Sequence, residues 1–133
     1  MSFCPCNSFR RFSDCCGPIL AGQRPASTAE ALMRSRYCAY AQKNVDYLIQ
    51  TYAAKQRKKQ KRSSIVRGME DTNWVQLTII SIFEGRQQHQ TGEVEFVAEY
   101  VKNGKKFALK ERSLFIRENG VWRYVRGMKS KEK

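Results

Sequence analysis

Histidine is almost missing from this chain: a single one, His89, among 133 residues. It falls in a polar stretch between Gly85 and Gly92 and reads as a solvent-exposed loop residue, not a catalyst. Acids are also scarce, with 12 Asp and Glu against 25 Lys and Arg, for a net charge of +13. That imbalance speaks of partners such as nucleic acid, the ribosome or an acidic protein surface, and says nothing about fold. No apolar run reaches eighteen residues, which excludes a membrane-spanning helix. No leader is expected ahead of the cysteines, because Met1 stands three residues before Cys4. A reducing, cytoplasmic setting is therefore expected, where clustered thiols read as metal ligands or redox groups. The length suits one ordinary domain with a small appendage.

What the chain does have is cysteine in one place. Four of its five cysteines fall within residues 4–16, as Cys4-Pro5-Cys6 and then, after eight residues, Cys15-Cys16. The segment between them has only Phe9 and Phe12 to bury beside Arg10, Arg11, Ser13 and Asp14, so it cannot fold on a core of its own. A tetrahedral zinc ion would order it. A disulfide is the plainer alternative and redox chemistry a third. A disulfide between the adjacent Cys15 and Cys16 would be strained. The fifth cysteine, Cys38, is expected to be a small packing residue within a helix, away from the cluster.

The run Cys4-Pro5-Cys6-Asn7-Ser8, with Cys15-Cys16-Gly17 eight residues on, resembles the SEC-C motif, the zinc-binding tail of the SecA translocation ATPase. Asn7 stands where that motif usually has glycine, and asparagine is the next best residue for a left-handed turn. The resemblance implies Cys4, Cys6, Cys15 and Cys16 as ligands. A four-thiolate site is closed, so the zinc would be structural.

The expected organisation is a knuckle over residues 1–17, a linker over 18–26, an α+β domain over 27–128 and a basic tail over 129–133. Ser27-Thr28-Ala29-Glu30 reads as a capping box, with Ser27 as the cap and a helix from Thr28 to Gln42. Ala29, Leu32, Met33, Arg36 and Tyr40 share one stripe at helical spacing. Arg36 in that stripe either snorkels off the edge or forms a buried ion pair. Asn44 is placed to cap a second helix through Val45, Tyr47, Leu48 and Tyr52. Lys55, Arg57, Lys58, Lys59, Lys61 and Arg62 put six cations in eight residues. That run is either a solvated face or a phosphate-contacting patch, without aromatics for base stacking. A short helix through Ile65 to Met69 follows.

From Trp74 the period changes to that of strands. Asn103-Gly104 and Asn119-Gly120 are two-residue hairpin signals. They set Tyr100 against Phe107, Ala98 against Leu109 and Phe96 against Glu111. Across the second turn they set Arg117 against Trp122, Phe115 against Tyr124 and Ser113 against Arg126. One face then carries Phe96, Tyr100, Phe115, Trp122 and Tyr124 around Glu111, Ser113 and Arg126. A carboxylate among aromatics must be paired or solvated, so Glu111 is expected on Arg126, on Arg36, or on both.

Helices followed by an antiparallel meander make an α+β domain, with helices packed on a curved sheet. This order resembles the cone-shaped nuclear-transport-factor-like fold. Ala29 to Tyr37, Val45-Asp46-Tyr47-Leu48-Ile49, Trp74 with Leu77-Thr78, Gly92 to Phe96, Glu111-Arg112-Ser113 and Gly120 to Tyr124 together resemble the bacterial YchJ-type proteins over nearly the whole chain. Members often carry a His-Pro pair where Ala53-Ala54 stands here, and an acid where Arg126 stands.

Three roles follow as expectations. The first is a non-enzymatic binding module, holding a protein or ribosome/RNA partner through Arg10, Arg11 and the basic run. The second is a small-molecule-binding protein or enzyme, using a cavity lined by Arg36, Phe96, Tyr100, Glu111, Ser113, Trp122, Tyr124 and Arg126. An open pocket with Glu111 free of an ion pair would favour it. The third is a homodimer formed through the sheet's outer face, which Glu93, Glu95, Glu99, Lys110 and Arg112 make too charged for a wide apolar interface.

Overall fold

The computed structural model describes residues 3–128, so the expected basic tail lies outside the described residues. The first turn of chain is a knuckle closed by a bridge between Phe3 and Arg11. Asn7 (φ 66°) and Phe9 (φ 65°) both take the left-handed conformation within it. A short 3-10 turn, Phe12–Asp14, leads into α1, Cys16–Leu20. Then come α2 (Ala29–Gln42), α3 (Val45–Gln50), α4 (Ala54–Arg57) and α5 (Arg62–Gly68). Four strands follow: β1 (Thr72–Glu84), β2 (Thr91–Lys102), β3 (Lys105–Glu118) and β4 (Val121–Met128). They form one antiparallel sheet in the order β1-β2-β3-β4.

The cap of α2 is Thr28, not the expected Ser27. Thr28 is extended and its Oγ1 accepts from the Ala31 amide at 3.0 Å. A tertiary contact sets this start, because the Ala29 amide donates to Gly85 O at 2.9 Å. Gly85 and Gly92 meet there, and a Cβ on Gly85 would lie 2.8 Å from that of Ala29. Glu30 turns forward to Arg34 at 2.9 Å instead of back to the cap. The expected asparagine cap of α3 is present, with Asn44 Oδ1 accepting from the Tyr47 amide, but α3 stops at Gln50, before Tyr52.

Helix α2 is the pillar of the molecule. Leu32, Met33, Ser35, Arg36, Tyr37, Cys38 and Ala39 are all buried, so no single stripe describes it. It packs against α1, against α3 and against three of the four strands. The main core joins Leu32, Met33 and Tyr37 to Leu77, Val94, Phe96, Phe115 and Trp122, and the knuckle cysteines belong to the same cluster. A second cluster gathers Val45, Tyr47, Leu48 and Met69.

Both hairpin turns have their Asn and Gly at positive φ, the twist that a two-residue hairpin needs. The β2–β3 register is the expected one from Lys102 opposite Lys105 to Phe96 opposite Glu111. On β4, Trp122 and Tyr124 face Arg117 and Phe115 as expected. One step further the expectation fails. A bulge places Arg126 opposite Leu114 and Gly127 opposite Ser113. An extra residue, Val125, turns every later side chain to the other face. Arg126 is therefore exposed on the outer side. Beyond Tyr124, the edge of β4 is covered by residues 51–53: Tyr124 N donates to Thr51 O and Ala53 N to Tyr124 O, both at 2.8 Å.

Candidate metal centre and interior cavity

The ligand-bearing residues come from two short pieces, Cys4 and Cys6 from the knuckle turn and Cys15 and Cys16 from the junction with α1. Their four sulfurs all lie within 4.8 Å of one another and all four residues are buried. Cys6 to Cys15 is 3.7 Å and Cys15 to Cys16 is 3.9 Å. None of the five cysteines is in a disulfide. Four buried sulfurs so arranged, all soft donors, can hold a metal ion. Surrounding groups support the sulfurs: Ser8 Oγ is 3.2 Å from Cys15 Sγ, and Arg34 Nη1 donates to Cys6 O at 2.8 Å and lies 3.8 Å from Cys6 Sγ. Hydrogen bonds from Cys16 and Cys38 pull the Cys4 thiol down to about 6. Burial pushes the Cys15 thiol up.

Cys38 is not where it was expected. It is fully buried on α2, but its sulfur is 3.5 Å from that of Cys4, against the cluster. Position 38 lies one helical turn after Arg34, on the side of α2 that meets the knuckle. No spacing rule in the sequence joins it to residues 4–16.

Inside the cone is a second feature, a cavity of about 170 Å³. Of the expected lining residues, Arg36, Phe96, Glu111, Ser113 and Tyr124 are there. Tyr100 lies outside the lining, stacked between Trp74 (4.7 Å between centroids) and Phe107 (5.4 Å). Trp122 is buried on the other side, against a cleft with Ile19 and Leu20. Arg126 is excluded by the β4 bulge. Tyr37, Tyr40 and Trp74, with Met33, Ala98 and Leu109, complete the wall and were not among the expected lining. For Tyr40 the signal was its place on the α2 stripe with Met33 and Arg36.

Glu111 is paired with neither arginine. Its Oε2 accepts from Ser113 Oγ at 2.8 Å and from Tyr124 OH at 3.2 Å. Gly127 makes room for it, since a Cβ there would lie 2.6 Å from that oxygen. Arg36 is buried, as the sharper reading of the stripe required, but without a carboxylate. Its Nη1 donates to Leu48 O at 2.9 Å and Thr51 Oγ1 at 2.6 Å. Its guanidinium lies 4.7 Å from the Tyr52 ring and 4.4 Å from the Tyr124 ring. Two π-faces and two oxygens replace the anion. Burial, with Glu111 close by, pushes the Tyr124 hydroxyl up, so it stays a donor.

The basic residues separate into two places. Lys55, Lys58, Lys59 and Lys61 are exposed on α4 and the turn after it and Arg62 at the start of α5, while Arg57 is half-buried and donates to Tyr52 O. Arg62 pairs with Asp46. On the knuckle, Arg10 and Arg11 are exposed beside Phe9, itself 77% exposed. Between the knuckle and the start of α2 runs an open groove lined by Phe9, Arg10, Arg24 and Arg34. His89 is half-buried, and its Nδ1 accepts from the Arg86 amide within the loop that Arg117 clamps through three carbonyls. No helix among the described residues is long and apolar enough to cross a membrane.

Known proteins bear on this arrangement. The chain is 41% identical over 128 residues to a UPF0225 protein of Yersinia pestis, covering 95% of this chain and 82% of that one, and equally to one of Yersinia pseudotuberculosis. The solution structure of a SEC-C motif containing protein from Rhodopseudomonas palustris matches with a TM-score of 0.89 and 35% identity, over 96% of this chain and 98% of that one. The crystal structure of a SEC-C motif containing protein from Psychrobacter arcticus shares the fold, with a TM-score of 0.80 at 23% identity, over 98% of this chain and 84% of that one. Residues 28–127 match the family described as the middle NTF2-like domain of YchJ. With a cysteine cluster set before a nuclear-transport-factor-like body, this chain belongs to the YchJ family.

Proposed function

We propose that the protein is a zinc-stapled binding module that receives an acidic segment of a protein partner in the groove between the knuckle and α2. Zinc suits the sulfurs: with Zn–S near 2.3 Å, a regular tetrahedron has S–S edges of about 3.8 Å, against the observed 3.7 and 3.9 Å. Cys4, Cys6, Cys15 and Cys16 would hold the ion with no open position, so its part is to fix the knuckle. The observation that carries the reading is Phe9. It is held in the left-handed conformation and turned to solvent, stacked edge-on with the equally exposed Phe3 at 6.4 Å. A phenylalanine so placed costs backbone strain and buries little in the free protein. Aromatic anchors ringed by arginines are what a partner surface uses. The test is binding of acidic peptides and of an RNA oligomer at low and high salt, with Phe9→Ala and Arg10→Ala beside the parent. Peptide binding that is salt-sensitive and lost in Phe9→Ala supports the reading. Binding of RNA alone, or of neither, rejects it.

The cavity favours a second reading, a small-molecule site. Its carboxylate, Glu111, has no cationic partner among the described residues and faces an open aromatic space. The ligand would be small and carry a donor for Glu111. A ligand-observed screen with Glu111→Gln as the control tests it.

A further inference from the structure

We infer that the interior cavity takes a small organic cation, an amine in its ammonium form on a compact alkyl body. This rests on the second reading above, that the cavity is a ligand site, and names the class of its ligand. Three aromatic rings meet in one part of the wall. Trp74 stands 6.1 Å from Tyr37 and 6.0 Å from Tyr40 between centroids, with the ring planes inclined by 70° and 57°. Rings so inclined enclose a corner, where a parallel stack would cover its own faces. Tyr100 packs on Trp74 from outside the lining, at 4.7 Å, and holds that ring in place. Phe96 and Tyr124 line the same space. Ring faces carry partial negative charge, and a cation set among them is attracted to each.

The polar groups of the wall decide between a cation, an anion and a neutral ligand. Ser113 and Tyr124 both give their hydroxyl protons to Glu111 Oε2. Glu111 Oε1 accepts from no group among the described residues, so it is open to a donor on the ligand. Gly127 seats the carboxyl, since a Cβ there would fall 2.7 Å from Oε1. An anion would meet Glu111 with these two hydroxyl protons already spent. Arg36 is the cationic side chain in the wall among the described residues, and its charge opposes a second cation. That charge is already answered: Arg36 is 3% exposed, its Nη1 serves two oxygens, and its guanidinium lies between the rings of Tyr52 and Tyr124. The chain thus holds one buried cation on π-faces without a carboxylate, which leaves Glu111 for another. The cavity, about 170 Å³, is well below the roughly 300 Å³ at which drug-sized sites begin, so the ligand has only a few heavy atoms. Leu109 lines it and is 41% exposed, which puts the entrance at β3.

The experiment titrates the full chain with tert-butylammonium chloride and, separately, with tert-butanol, which has the same shape and a donor but no charge. Backbone amide NMR shifts locate each ligand. The ammonium is expected to move the amides of Glu111 and Ser113 and to bind about tenfold or more tighter than the alcohol. Glu111→Gln is expected to weaken the ammonium by a similar factor. Tyr40→Leu, which removes one ring and leaves the carboxylate, should weaken it about threefold. Thermal melts report the fold of both variants, and the comparison of the two ligands on the parent chain needs neither. Equal affinity for the two, or a tighter hold on the alcohol, overturns the inference and leaves the cavity reading standing. Ammonium binding that Glu111→Gln leaves unchanged overturns it as well. So does ammonium that never enters the cavity, and a fragment screen that then finds no other cavity ligand removes the cavity reading too.

Discussion

The side chain of Asn7 accepts a hydrogen bond of 2.7 Å from the backbone amide of Leu77, in the middle of strand β1. Asn7 is also one of the two knuckle residues at positive φ. One residue therefore makes the turn that brings Cys4 and Cys6 together and ties that turn to the sheet. Asn7→Ala should lose both roles and cost about 1–3 kcal/mol. Asn7→Gly should keep the turn and lose only the bond, for a smaller loss. Chemical denaturation of the three proteins side by side checks the order.

If the cysteine cluster holds a metal, as proposed, removing it should destabilise the whole chain and not the knuckle alone, because the cysteines share their core with Leu77, Val94 and Trp122. Chelation is expected to lower the melting temperature read by the fluorescence of Trp74 and Trp122. Acid should act the same way, since protons compete with the metal for thiolates and retention falls as pH drops. An unchanged melt after complete chelation would show that the metal adds nothing to the core.

Burial pushes the Tyr37 hydroxyl up to about 12 from an ordinary 10. The folded chain holds this proton more tightly than the unfolded one, so the contribution is fully present below pH 10. It fades as pH rises from 10 through 12, by about 2–3 kcal/mol in all. Tyr37→Phe should flatten that stretch of the stability–pH curve.

Arg36→Met keeps much of the volume but removes a donor from Leu48 O and from Thr51 Oγ1 and takes the cation from between two rings. The expected loss is about 2–4 kcal/mol. Because Arg36 bridges α2, α3 and the covered edge of β4, hydrogen exchange should rise first at residues 51–53.

Lys58 and Lys59 are exposed, with no carboxylate partner among the described residues. Replacing both with alanine should shift stability by no more than about 0.5 kcal/mol. If the acidic partner lies in the knuckle groove, as proposed, the salt dependence of its binding should survive this change and be reduced by Arg10→Ala.

Much of this structure could be read from residue types with strong local rules. The two Asn-Gly turns named the β2–β3 and β3–β4 hairpins and, with them, Phe96 opposite Glu111. Asn44 named its helix. The cysteine spacing named the cluster. What escaped was set by tertiary contacts. The bulge at Val125 reversed Arg126 and dissolved the expected ion pair; its trace in the sequence is slight, two adjacent apolar residues, Tyr124 and Val125, ahead of Arg126. β1 has two similar irregularities, between Trp74 and Gln76 and between Ile79 and Ser81, in a run where Gln76, Thr78 and Ser81 keep no single period. Thr28 displaced Ser27 as the cap because Gly85, far along the chain, fixes where α2 begins. Cys38 joined the sulfurs because α2 lies flat against the knuckle, which no spacing of cysteines could announce.

Arg34 and Arg36 stand two residues apart on one rod, the first gripping the knuckle and the second reaching across to α3 and β4. The rod is clamped at its start by Gly85 and hemmed in along most of its length. Sliding or rolling it to suit one grip would unseat the other. The sulfur end and the hollow end of this molecule are thus two jaws on a common axle, and neither can be re-shaped by evolution or by design while the other is held still.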